Sequence, residues 1–199
     1  PKGNEGLAAL SAAMVAEAGS ERLRTEEISR ALFPMAGVFR GQVDREMTTF
    51  TGVVHRDNID RYLDVVLGQL LTPGYRDDDF ARLKARQANE LVQDLRSSNE
   101  EELGKERLQA LIHRGTSYAH PSTGTEAGIA TLNVESVRRW VAEHLTRSNL
   151  VFGLAGDWPE ASKERLLRVL GQLPAGAPTP APAVTAHQPR GLAVEIIEK

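Results

Sequence analysis

The chain has 199 residues, 41% of them hydrophobic and 26% charged, with a net charge of −3 and no cysteine. That is material for one domain, or one domain with appendages, and its interleaved acids and bases lack the basic stripe of a nucleic-acid footprint. Disulfides and thiolate metal sites are excluded, and no apolar run approaches the roughly 18 residues of a membrane span.

The first predicted element is the one around which the rest is organised. Residues 6–19 read as a helix stopped by Gly19, with Leu7, Leu10, Met14 and Ala18 on one apolar stripe. Ala9, Ala12, Ala13 and Ala16 make a second stripe of methyl groups. A helix apolar nearly all round is a buried one, and alanine lets a second backbone come close. A central helix packed on two sides is the expectation.

Thr25-Glu26-Glu27-Ile28 then reads as the cap and acidic first turn of a helix whose inner face is Ile28, Ala31 and Leu32. Two strands follow, Val38–Val43 and 47–54, the second rich in β-branched residues. The charged turn Asp44-Arg45-Glu46 between them predicts an antiparallel pair. A helix from Arg56-Asp57-Asn58 carries Ile59, Tyr62, Leu63, Val66, Leu67 and Leu70, and Pro73-Gly74 stops it. Asp77-Asp78-Asp79 opens a long helix with Phe80, Leu83, Leu91 and Leu95 inward, broken at Ser97-Ser98-Asn99. Glu100-Glu101-Glu102 opens another, with Leu103, Leu108, Leu111 and Ile112. After a loop over 113–125, Asn133 caps a helix with Val134, Val137, Trp140 and Val141. Residues 149–155 read as an apolar, central strand, and the last helix turns Leu166, Leu167 and Leu170 inward. Residues 174–190, where alanine and proline alternate with small residues, read as an extended linker, and 191–197 alternate like a strand. The order predicts an α+β fold: a mixed or antiparallel sheet with helices packed on it.

Several of these segments resemble the pitrilysin/insulinase family of zinc peptidases. The family's central helix reads roughly G-L-x-H-x-x-E-H-M, an inverted zincin motif in which the two His bind zinc and the Glu activates water. Gly6-Leu7 and Met14 keep its frame, while Ala9 and Ala13 fall at the His positions and Ala12 at the Glu. Gly37 to Gln42 resembles the family's G-x-x-x-N-A strand, with Arg40 and Gly41 in place of Asn and Ala. Residues 57–73 resemble its helix ending in L-x-x-P, and 77–84 its E-x-x-F-x-R-x-K segment. Tyr118-Ala119-His120-Pro121 with Gly124-Thr125 resembles Y-G-x-P-x-x-G-T, and 149–157 resembles N-L-x-x-x-x-x-G-D. The order and spacing of these pieces carry the resemblance, which spans nearly the whole chain.

The resemblance implies a metallohydrolase-like half-domain over 1–173, a linker over 174–190, and the opening strand of a following half-domain over 191–199. Pro1 is not an initiator, no signal peptide is legible, and the family's strands before the central helix are missing here. The chain thus reads as processed or as a fragment of a longer protein. With alanine at the motif positions, no catalytic residue and no cofactor are expected in this chain, and zinc is expected in the other half of the parent protein. Glu90 stands nearest the family's third ligand, a Glu in a downstream helix, and is a possible remnant; its other reading is a solvated or paired helix residue. Val38, Phe39, Arg40, Gly41 and Gln42 form the strand to which the resemblance assigns substrate binding, by pairing with an extended peptide. The implied function is that of a non-catalytic half walling a peptide-binding chamber. The alternative is a wholly inactive relative acting in peptide binding or assembly, and the weakest reading is a metal enzyme with other ligands. Partners are a second half-domain or homologous subunit and a peptide, with no nucleic acid and no membrane, and the expected compartment is a bacterial periplasm or cell envelope.

The remaining candidates have simpler readings. His113 and His120 share a loop without a third ligand, His55 beside Asp57 is a turn residue, His144 suits a helix C-terminus, and His187 lies in the linker. No Ser-His-Asp arrangement and no phosphate-binding glycine loop are legible.

Overall fold

The computed structural model describes residues 3–93, 99–180, 191–192 and 194–197. Eight α-helices and one β-hairpin are found there: α1 (Leu7–Glu17), α2 (Thr25–Leu32), β1 (Val38–Val43), β2 (Thr48–Val53), α3 (Ile59–Leu71), α4 (Asp77–Asn89), α5 (Glu100–Ile112), α6 (Glu126–Thr131), α7 (Val134–His144) and α8 (Glu160–Leu170). The fold is α+β, as the sequence predicts.

Helix α1 is the centre. Leu7, Leu10, Ala12, Met14, Val15, Ala16 and Ala18 are buried, and so is Ser11. Leu10 and Met14 pack with Leu83 of α4 and with Val137 and Val141 of α7 in one apolar cluster. A second cluster joins Tyr62, Leu63 and Val66 of α3 to Met35 and to Leu166 and Leu170 of α8. The hairpin lies against α1 in antiparallel register, with Val38 opposite Val53 and Val43 opposite Thr48. Side-chain caps explain where several helices start. Asn133 Oδ1 accepts from the Ser136 N–H at 2.8 Å to open α7, and Thr125 Oγ1 accepts from the Gly128 N–H at 3.0 Å to open α6.

Three expectations are corrected. Residues 150–155 pair with no strand: they lie exposed, and β1 and β2 are the only paired strands among the described residues. An apolar, β-prone run becomes a strand only where another strand offers its backbone, and none of the described residues does so here. Residues 191–192 and 194–197, expected to form a strand that pairs outside this unit, are exposed and pair with no described strand. Leu167 is exposed on α8, and α5 buries no residue, with Leu108 and Ile112 facing solvent. Both are peripheral helices, so part of an apolar stripe has nothing to cover it. Helix α6 was not anticipated, although Thr125 is a cap residue at the right place. The predicted break at Ser97 and Ser98 and the inward Leu95 lie outside the described residues.

Tyr62 fixes the base of the hairpin. Its hydroxyl donates to the Val38 carbonyl at 2.7 Å, and burial pushes its pKa up to about 12. Burial does the same to Tyr75, also to about 12, against the opposing pull of the Arg138 cation. Both rings are held neutral by the fold, whereas in the unfolded chain a tyrosine ionises near pH 10. The stability they contribute is therefore full below about pH 10 and is lost as pH rises toward about 12. Thermal midpoints measured across that window are expected to fall, and Tyr62→Phe to remove part of the decline. An equally steep decline in the Phe variant would show that Tyr62 is not its source.

Candidate functional site

Of the residues singled out by sequence, Ala12 of α1 and Gly41 of β1 are brought together, where the hairpin packs on α1. Ala12 is 1% exposed and sits directly under β1. A Cβ placed on Gly41 would lie 2.8 Å from the Ala12 carbonyl oxygen and 3.2 Å from its Cβ. Glycine in the strand and alanine in the helix thus let the two backbones touch, which is the use predicted for the alanine stripe. Ala9 and Ala13 are only half-buried, so this side of α1 is packed at Ala12 and partly open on either side of it.

Along β1 the side chains alternate. Arg40 and Gln42 face solvent, while Phe39, Gly41 and Val43 are partly covered. Phe39 stacks on Phe50 across the hairpin with ring centroids 5.9 Å apart. Strand β1 pairs only with β2 among the described residues, so its far edge offers backbone groups to an extended chain. The hairpin tip is clamped. Arg45 Nη1 donates to the carbonyls of Tyr118 (2.5 Å) and His120 (2.9 Å), and Nη2 reaches both oxygens of Glu106 at 3.0 and 2.9 Å. Asp44 accepts from the backbone N–H groups of Glu46 and Met47, which lowers its pKa. The Tyr118 hydroxyl donates to Glu46 at 2.8 Å, and that bond raises the Tyr118 pKa. The sequence marks Asp44-Arg45-Glu46 as a turn and carries no sign of this role. A guanidinium satisfied by a loop distant in sequence leaves no local signal.

Glu90 opens a wider π turn over 90–93 that continues α4. Its carboxylate lies 3.4 Å from Arg86, which also binds Glu17 through contacts of 2.5 and 2.8 Å. The bond to Glu17 and the charge of both carboxylates raise the Arg86 pKa. Zinc needs three or four lone-pair ligands. Alanine supplies none at positions 9, 12 and 13, and the Glu90 carboxylate lies against the Arg86 guanidinium, a permanent cation. Among the described residues, no three His, Cys, Asp or Glu side chains gather to hold a metal. The residues present do not fit zinc.

The histidines have local partners. His144 stacks on Trp140 at 4.6 Å, His113 lies against Tyr118 at 5.7 Å, and His55 approaches Asp57 at 3.6 Å. His187 lies outside the described residues.

No family model matches the sequence, and no curated protein matches it. Solved structures do match. A peptidase M16 inactive domain from Pseudomonas fluorescens superposes with a TM-score of 0.79 at 21% identity, over 95% of this chain and 45% of that one. A chain of complex III2 from Candida albicans matches with a TM-score of 0.73 at 15% identity, over 94% and 42%. A protease from Helicobacter pylori matches with a TM-score of 0.72 at 15% identity, over 94% and 45%. The chain therefore spans less than half the length of each. The fold of this chain is the α+β fold of part of that peptidase M16 inactive domain, M16 being the pitrilysin-type group that the sequence resembles.

Proposed function

We infer that this chain is the non-catalytic half of a pitrilysin-type zinc peptidase, with zinc and the catalytic residues carried by another half. It walls a peptide-binding chamber and presents the far edge of β1 to an extended peptide. The observation that carries the reading is the likeness to an M16 inactive domain, combined with alanine at every position where the resemblance puts a catalytic group. Val38, Phe39, Arg40, Gly41 and Gln42 are then the substrate-facing strand, and the bacterial cell envelope is the proposed compartment.

The likeness to a complex III2 chain supports a second reading, an inactive subunit that works in assembly. The polypeptide that accompanies this chain separates the two, since an H-x-x-E-H motif belongs only to the first. The direct test is elemental analysis and hydrolysis of a quenched fluorescent peptide mixture. This chain alone is expected to carry substoichiometric zinc and to cleave nothing, and cleavage is expected when the motif-bearing half is added. Stoichiometric zinc lost on Glu90→Gln, or cleavage by this chain alone, would overturn the proposal.

A further inference from the structure

Helix α5 and the turn that follows it stand outside the core. From 99 to 123 no residue with a described side chain is buried, and none belongs to either apolar cluster. Where α5 passes the end of α4 there is a hollow of about 360 Å³ rather than a packed seam, with Leu91, Glu102, Glu106 and Pro121 among the residues that line it. The segment nevertheless holds together as a unit. Helix α5 lies along the short turn Ser117–Ala119, and the His113 ring lies against Tyr118. The Thr116 N–H and hydroxyl both donate to the His113 carbonyl, at 3.0 and 2.8 Å.

Polar contacts attach this unit at two places. At its base Gln87 Nε2 donates to the Thr123 carbonyl, and Gly124 sits too close to the backbone of Glu5 and Gly6 for a Cβ to fit. At its far side Arg45, from the hairpin tip, binds the Tyr118 and His120 carbonyls of the turn and both carboxylate oxygens of Glu106 on α5. The Tyr118 hydroxyl adds a bond to Glu46. Arg107 pairs with Glu195, which belongs to neither apolar cluster. Arg45 and Glu106 are 26% and 25% exposed, so their forked, charge-assisted pair keeps more of its strength than an ion pair in open solvent. A region with little buried apolar surface opens at a lower free energy than the core, and here opening must first break the grip of Arg45.

We propose that residues 99–123 form a lid that swings away from the hairpin as a body while the core stays folded, and that Arg45 is the latch that keeps it shut. One side chain can do this because a planar guanidinium reaches two carbonyls and a carboxylate together, which an ammonium does not. Opening widens the hollow against α4. It also frees the tip of β1 and β2, because the same guanidinium ends the hairpin. This inference does not depend on the peptidase reading.

Native-state hydrogen exchange on the full chain, read by mass spectrometry of peptic fragments, tests it. In the wild type the α5 amides are expected to be protected, but to exchange faster than those of α1 and α7. Losing hydrogen bonds to a charged group is expected to speed α5 exchange about tenfold or more in Arg45→Ala, with α1 and α7 unchanged. Arg45→Lys keeps the charge but not the fork, and is expected to fall between the two. Glu106→Gln changes only the half-exposed partner on α5 and leaves the carbonyl contacts, so it cannot unfold the core and is expected to give a smaller rise confined to the lid. Deleting 191–199 is expected to leave the α5 rates as they are. The proposal is overturned if α5 is unprotected in the wild type or exchanges no faster than α1. It is equally overturned if Arg45→Ala speeds α1 and α7 as much as α5, if neither Arg45→Ala nor Glu106→Gln moves α5, or if the tail deletion alone releases it.

Discussion

Combining Ala9→His, Ala12→Glu and Ala13→His is expected to lower the melting midpoint of the domain sharply in the absence of metal, with Ala12→Glu alone giving most of the loss. Ala12 is 1% exposed, and its carbonyl oxygen and methyl lie only 2.8 and 3.2 Å from where a Cβ on Gly41 would sit. Overpacking a filled site costs about 1–3 kcal/mol. A carboxylate placed there also loses its water without gaining a cation, which costs several kcal/mol more or forces the group to protonate. Ala9 and Ala13 are half-buried, so histidine at either can turn partly to solvent, and each single variant is expected to lose less. Thermal melts of the three single variants and the triple decide the matter. If Ala12→Glu melts like the wild type, the space under β1 is open and the packing argument fails.

Gly124→Ala is expected to be the most damaging single methyl in the protein. Gly124 has φ +98°, where a side chain is strained, and a Cβ there would lie 2.4 Å from the Glu5 carbonyl oxygen and 2.5 Å from the Gly6 Cα. These are backbone atoms at the entrance to α1, and they cannot swing aside. The same junction is sealed by Gln87, whose Nε2 donates to the carbonyls of Gly6 (3.0 Å) and Thr123 (2.7 Å). The strained backbone conformation costs roughly 1–2 kcal/mol. The forced separation of the loop from α1 adds about 1–3 kcal/mol. Chemical denaturation should show the loss, with Gly115→Ala as the control, since Gly115 also has positive φ (+85°) but open space around it. Equal losses in the two variants would assign the effect to backbone strain alone.

What could be read from sequence was whatever depended on neighbours along the chain. The buried helix α1, the hairpin around Asp44-Arg45-Glu46 and the Asn133 cap all follow from spacing and residue type within a short window. What depended on distant partners was misread or missed. The run at 149–155 has strand composition, but no described strand lies beside it, and composition cannot report which neighbour a run has. Leu108 and Leu167 fit helical stripes, but the helices that carry them lie at the edge of the fold. For the candidate site, the positions of Ala9, Ala12 and Ala13 came from the resemblance. That Ala12 is covered while the other two are half-open came only from the packing of Gly41. The Arg86 bridge between Glu17 and Glu90 joins two helices and left no trace in sequence.

The hairpin behaves as a beam supported at both ends. Tyr62 holds its root through the Val38 carbonyl, and Arg45 anchors its tip to the 118–120 loop and to Glu106. A chain that adds itself to the edge of β1 meets a strand that folding has already straightened and fixed in place. The entropy of ordering the receiving strand then does not have to be spent at the moment of contact. Under the proposed function, such a rail would hold an extended peptide through its backbone and tell peptides apart through the side chains of β1, Arg40 and Gln42 on the outer face among them.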